Sequence, residues 1–96
     1  AKILEELGVF SIVLECIDSS LAKEVTKVIN IPTIGIGASV NCDGQVLVTD
    51  DLIGLNPIKV RFVKRFSNIK KEIDSAIIKF KNEVKSRKFP KKINSY

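Results

Sequence analysis

The sequence predicts a parallel α/β fold, of which 96 residues can hold only a part. Three observations lead there. The runs "VFSIVLE" at 9–15, "TIGIG" at 33–37 and "QVLV" at 45–48 are short, rich in β-branched residues and bounded by turn chemistry. A helical pattern lies between the first two, and strand–helix–strand at this spacing is the βαβ unit. The runs are apolar without polar alternation, which is how strands covered on both faces read.

Taken in order, Ile3, Leu4 and Leu7 mark the last turns of a helix, and Gly8 supplies its stop. The first strand follows at 9–15 and ends on an acid, Glu15. Asp18, Ser19 and Ser20 then offer side-chain oxygens to the first free N–H groups of a second helix. Leu21, Val25, Val28 and Ile29 recur at i, i+4, i+7 and i+8, one face of that helix. Asn30 closes it, and Pro32 forbids its continuation. The second strand spans 33–37, and the loop "ASVNCDG" leads to the third at 45–48. "DDLIGLN" reads as a short helical turn ending at Gly54. After Asn68 a longer amphipathic helix puts Ile69, Ile73, Ala76, Ile77, Phe80 and Val84 on one stripe, and "KFPKK" ends it.

Three parallel strands alone would leave open edges and bare apolar faces. The simplest completion is more strands ahead of Ala1, where the sequence already opens inside a helical pattern. A (β/α)8 barrel takes about 200–250 residues. With no internal repeat and no linker, residues 1–96 are expected to be the C-terminal segment of a single barrel domain, cut in mid-fold with its N-terminal part absent.

Composition is that of a globular chain, 45% hydrophobic and 28% charged. No apolar run approaches the ~20 residues that span a bilayer, and the N-terminus lacks a secretory pattern. No membrane partner is expected, and a cytoplasmic location is. Cys16 and Cys42 have no close spacing and no histidine exists to complete a zinc site, so reduced thiols are expected. Spacing alone leaves a disulfide between them open. The net charge of +5 is uneven: residues 1–58 carry three basic and eight acidic side chains, residues 59–96 thirteen and three. A basic half invites nucleic acid. Yet no RNP-like or helix-turn-helix pattern accompanies it, and its lysines alternate with isoleucines at helical period, as on a solvated helix face. A non-catalytic module contacting nucleic acid or an acidic protein through 59–96 is the alternative.

Chemistry in parallel sheets and barrels collects at the carboxyl ends of strands. Glu15 occupies such an end. Position alone leaves two readings open. A carboxylate on an apolar strand tip has a raised pKa and can take a proton from carbon beside a carbonyl; equally, it can serve a structural ion pair or cap a loop. "GIGAS" at 35–39 fails as a dinucleotide fingerprint, because Val40 stands where the third glycine belongs, and it lacks the Gly-Lys-Ser/Thr of a P-loop. Gly35 and Gly37 are expected to serve a tight turn and a close backbone approach. Asp43 in "NCDGQ" is expected to bond its own turn rather than a metal. One of Asp50 and Asp51 is expected to be an N-cap, since a metal would need further oxygens.

In order along the chain, "FSIVLEC", "IPTIGIGA", "CDGQVLV", "DDLIGL", "FVKRF" and the "FP…NSY" terminus resemble the C-terminal part of the ketopantoate hydroxymethyltransferase family. "IPTIGIGA" followed shortly by "CDGQVLV" is the most specific combination. The resemblance implies that the three strands are the last three of a (β/α)8 (TIM) barrel. It implies transfer of a hydroxymethyl group from 5,10-methylenetetrahydrofolate to α-ketoisovalerate, giving ketopantoate in pantothenate biosynthesis. It implies a magnesium ion (Mg2+) chelating the keto acid, and a homo-oligomer. The glutamate of the "LEC" motif, the family's proposed proton acceptor, falls on Glu15. The family's magnesium carboxylates, and the Ser, Asp and Lys that hold the keto acid, come from earlier strands. No metal ligand is therefore expected in this segment, and the fragment is expected to be inactive alone. The chain departs from the family pattern at Asp18, where proline is common, at Ser39, where glycine is, and at Asp50 and Asn94, where histidines are.

Overall fold

The computed structural model describes all 96 residues. Its sheet has three parallel strands in the order β1 (Ile12–Glu15), β2 (Thr33–Ile36) and β3 (Gly44–Gln45). Helix α1 (Lys2–Glu6) precedes β1, α2 (Ser19–Val28) links β1 to β2, and α3 (Thr49–Leu52) and α4 (Ile69–Lys85) follow β3. The parallel α/β architecture read from the sequence is present, with shorter strands.

Gly8 ends α1 through a left-handed turn at φ +85. Its N–H donates to the Glu5 carbonyl at 2.9 Å and the Val9 N–H to the Leu4 carbonyl at 3.3 Å, the paired bonds of a Schellman motif. Val9 thus belongs to the helix end, and β1 starts at Ile12 rather than at 9. Asp18 caps α2 by accepting from the amides of Ser20 at 2.9 Å and Leu21 at 3.2 Å. The Ser20 hydroxyl first, then these two amides, hold its carboxyl below the usual 3.8.

The face that α2 turns to the sheet keeps Val25 and Ile29 of the four residues expected and replaces Leu21 and Val28 by Ala22 and Thr26. Ala22 is fully buried against Leu14 and Cys42, Val25 packs on that cluster, and Ile29 is buried. Leu21 and Val28 remain about half exposed. Thr26 completes the inner face: its hydroxyl donates to the Ala22 carbonyl and lies 2.9 Å from the hydroxyl of Thr33. The reason is size. A small residue lets the helix backbone approach the strands, so alanine and a threonine pair occupy the contact.

β3 is two residues long, extended by one bond from the Val46 N–H to the Gly35 carbonyl at 3.0 Å. The strand expected over 45–48 stops there because β2 turns away at Gly37, φ +61, and Val48 becomes the N-cap of α3. Asp43 does not bond its own turn. Its Oδ2 accepts from the Thr33 amide at 2.8 Å and the Thr33 hydroxyl at 3.1 Å, tying the approach to β3 to the start of β2. Neither Asp50 nor Asp51 caps α3 with its side chain. Both lie in its first turn, and Asp51 accepts from the Asn56 amide group at 2.7 Å.

Between α3 and α4 the chain is irregular but tied down. Arg65 donates to the carbonyls of Asn56 and Ile58 at 2.7 and 3.2 Å. α4 starts after Asn68 as expected, and Asn68 caps it by accepting from the Lys71 amide. α4 ends at Lys85, ahead of "KFPKK", where Arg87 adopts φ +55 and the Lys88 N–H reaches the Glu83 carbonyl at 2.8 Å. Phe89 then folds back edge-on to Phe80, ring centroids 5.5 Å apart.

The chain extends 67 × 29 × 15 Å with a radius of gyration of 22.3 Å, against roughly 12–13 Å for a compact chain of this length. Only nine of 96 residues are buried. The stripe of α4 read from the sequence is real but bare: Ile73, Ile77, Phe80 and Val84 are all exposed. Both thiols are free, Cys16 exposed and Cys42 buried. No helix is long and apolar enough to cross a membrane.

The Thr33 amide, then its hydroxyl, hold the Asp43 carboxyl below 3.8. A carboxyl lowered by folding stabilises the folded state above its unfolded pKa, and the contribution fades as pH falls through the lower, folded value. Asp43→Ala should therefore lower the urea midpoint at pH 7, and the gap from the parent should close only below pH 3.8. Equal midpoints at pH 7 would remove the tie from the list of stabilising contacts.

Candidate active site at the carboxyl ends of the strands

Glu15 is the last residue of β1, in register with Ile36 of β2. Burial along β1 alternates: Ile12 and Leu14 meet the α2 side, whereas Val13 and Glu15 are exposed on the other face. The strand tip is held by the backbone. Directly after Glu15, Cys16 adopts φ +51 and donates its N–H to the Ile36 carbonyl at 2.8 Å. A non-glycine residue in the left-handed region costs about 1–2 kcal/mol, a strain of the kind that accumulates at functional sites. The Glu15 carboxylate is exposed and makes neither a hydrogen bond nor a salt bridge; the one ion pair of the chain joins Lys70 and Asp74. The ion-pair and loop-cap readings of this residue therefore have no partner within the chain.

Beside the strand tips lies a cleft of about 680 Å3, walled by Cys16 and Asp18 after β1, Gly37 and Ser39 after β2, and Arg61 and Phe62 from the irregular segment. Gly37 makes its floor possible. Its φ is +61, and a Cβ there would lie 2.7 Å from the Phe62 side chain. Gly35 allows a second close approach, since its Cβ would stand 2.8 Å from the Gln45 side chain. Ser39, buried, accepts from the backbone and side-chain nitrogens of Asn41 through its hydroxyl, and its carbonyl accepts from Gln45 at 2.7 Å. Serine in place of glycine thus braces the loop.

The acids read from the sequence scatter. Asp43 bonds the first residue of β2 and so stands at the amino end of the sheet, away from the cleft. Asp50 and Asp51 lie beyond β3 in α3. No three His, Cys, Asp or Glu side chains converge on a point. Arg61 lies in the basic run of 59–96 and on the cleft wall; its setting between Val60 and Phe62, apart from the lysines of α4, is the signal in the sequence that distinguishes it.

Residues 1–92 match the family described as ketopantoate hydroxymethyltransferase. The chain belongs to that family. The match runs through most of the basic segment 59–96, which is therefore part of the same family unit. Relatives named 3-methyl-2-oxobutanoate hydroxymethyltransferase occur in Pelagibacter ubique, 70% identical over 96 residues, and in Thermosipho africanus, 54% identical over 97. Each alignment covers 100% of this chain and 37% of the relative. A Caulobacter vibrioides relative of the same name is 46% identical, with 100% and 35% covered. The chain thus spans little more than a third of the length of the curated relatives it matches.

Gly37→Ala should destabilise the fold by at least about 1–2 kcal/mol from backbone strain alone, with displacement of Phe62 in addition. Urea unfolding and the environment of Phe62 by NMR check both effects. An unchanged midpoint would mean that the floor of the cleft is not built on this glycine.

Proposed function

We propose that residues 1–96 form the last three strand–helix units of a (β/α)8 barrel, in a 3-methyl-2-oxobutanoate hydroxymethyltransferase that works in the cytoplasm. The enzyme would transfer a hydroxymethyl group from 5,10-methylenetetrahydrofolate to α-ketoisovalerate, giving ketopantoate. The observation that carries this reading is the 70% identity over the whole chain to a relative of that name. Strand placement supports it: Glu15 stands at a carboxyl end, on the sheet face opposite α2, where a barrel interior would lie.

On this reading Glu15 is the proton acceptor. Its carboxylate takes the hydrogen from C3 of the keto acid, and the electron pair passes to the carbonyl oxygen as an enolate. Water adds to the methylene carbon of the donor, both of its C–N bonds break, and tetrahydrofolate leaves, with the one-carbon unit released at the level of formaldehyde. C3 of the enolate then bonds that carbon, whose oxygen takes a proton back from Glu15. A base must stand within hydrogen-bond reach of the carbon it serves, on a rigid support. A carboxylate with no competing partner, on a strand tip clamped by the Cys16–Ile36 hydrogen bond, meets that need.

No three His, Cys, Asp or Glu side chains of this chain converge on a point. The ligands for Mg2+ would come from outside residues 1–96. The bare stripe of α4 suits a contact with a second copy in a homo-oligomer.

In the full-length enzyme, Glu15→Gln should slow deuterium exchange at C3 of α-ketoisovalerate by about 10²–10⁴-fold, while magnesium binding survives. Unchanged exchange would move the base elsewhere. Ketopantoate formation by the isolated 96-residue chain would refute the view that it holds only part of the site.

A further inference from the structure

Building on the function proposed above, we propose that Arg61 binds the glutamyl carboxylate of the folate donor in the cleft beside the strand tips. At about 680 Å3 the cleft falls within the roughly 300–1,000 Å3 usual for small-molecule sites. Arg61 is the only cation on its wall. The one acid there, Asp18, is already engaged by the hydroxyl and amide of Ser20 and the amide of Leu21. The Arg61 guanidinium makes no hydrogen bond or ion pair within the chain, whereas Arg65, four residues on, is fixed to two backbone carbonyls. A guanidinium presents its donors as a planar fork that a carboxylate fills with two parallel bonds. Its neighbour Phe62 fixes its place by lying against Gly37.

Reach selects which carboxylate. Glu15 pairs with Ile36, the residue before Gly37, and Phe62 lies on Gly37. That sequence of contacts places the Cα atoms of Glu15 and Arg61 within about 20 Å of each other. Glu15 is not on the cleft wall, however, and Arg61 is. A ligand that serves both must reach from the cleft to the sheet face opposite α2, where Glu15 stands. The carboxylate of the keto acid is two bonds from the reacting C3. The glutamyl carboxylates of the donor lie a whole p-aminobenzoyl spacer away from its one-carbon unit, so the donor can put one end at Glu15 and the other at Arg61.

The test uses a full-length chain in which these 96 residues replace the matching region of the Pelagibacter ubique relative. Arg61→Ala should raise KM for methylenetetrahydrofolate roughly 10–100-fold, the loss of a charge-assisted hydrogen bond, and Arg61→Lys should fall between. With methylenetetrahydropteroate, which lacks the glutamate, parent and variant should share one KM. Deuterium exchange at C3, a step that precedes any bond to the donor, reports that the rest of the site is intact; if Arg61→Ala does not fold, the donor KM of Arg61→Lys decides. A rise confined to the KM for α-ketoisovalerate, or an unchanged donor KM with normal turnover, overturns the role of Arg61 and leaves the functional reading standing. No ketopantoate from the unsubstituted chain overturns that reading itself.

Discussion

The hydroxyl of Thr33 is where three elements meet. Sitting at the first position of β2, it has one proton to give, to the Thr26 hydroxyl on α2 at 2.9 Å or to the Asp43 carboxylate ahead of β3 at 3.1 Å. Thr33 is fully buried, and each polar group it brings inside has a partner. A buried hydroxyl costs free energy unless it is so satisfied. This small network fixes how α2 lies on the sheet and where β3 begins, and with them the positions of the loops at the opposite end.

The two ends of the sheet consequently have different chemistry. At the amino end, Asp43 is saturated by Thr33 and holds strands together. At the carboxyl end, Glu15 has no partner, Cys16 is strained, and glycine backbone gives way to Phe62. In parallel sheets the carboxyl ends of the strands are commonly the ends that keep free side chains, and the amino ends those that hold the strands together. Two acids of one small chain, one ending β1 and one just ahead of β3, thus differ through their surroundings.

The core explains the shape. Leu14, Ala22 and Cys42 are its centre, and few other side chains are removed from water. Val13 on the sheet and the isoleucines of α4 stay exposed although their spacing is that of buried positions. Apolar surface in contiguous stripes marks contact with more protein, and the alignments, which cover little more than a third of each relative, agree with that.

Local chemistry made much of this legible in advance. Gly8, Asp18 and Asn68 terminate or start helices by bonds within a few residues, so sequence by itself determined those boundaries, the parallel α/β class and the placement of Glu15 on a strand tip. Other features depend on residues far apart in the chain. Asp43 prefers Thr33 to its own turn, α2 packs through Ala22 and Thr26 beside Val25 while Leu21 and Val28 stay exposed, and Arg61 reaches the cleft only because Phe62 fits the space that Gly37 leaves. Hydrogen bonds and packing across seven or more residues are decided by which backbone can come close, and only the tertiary structure fixes that distance.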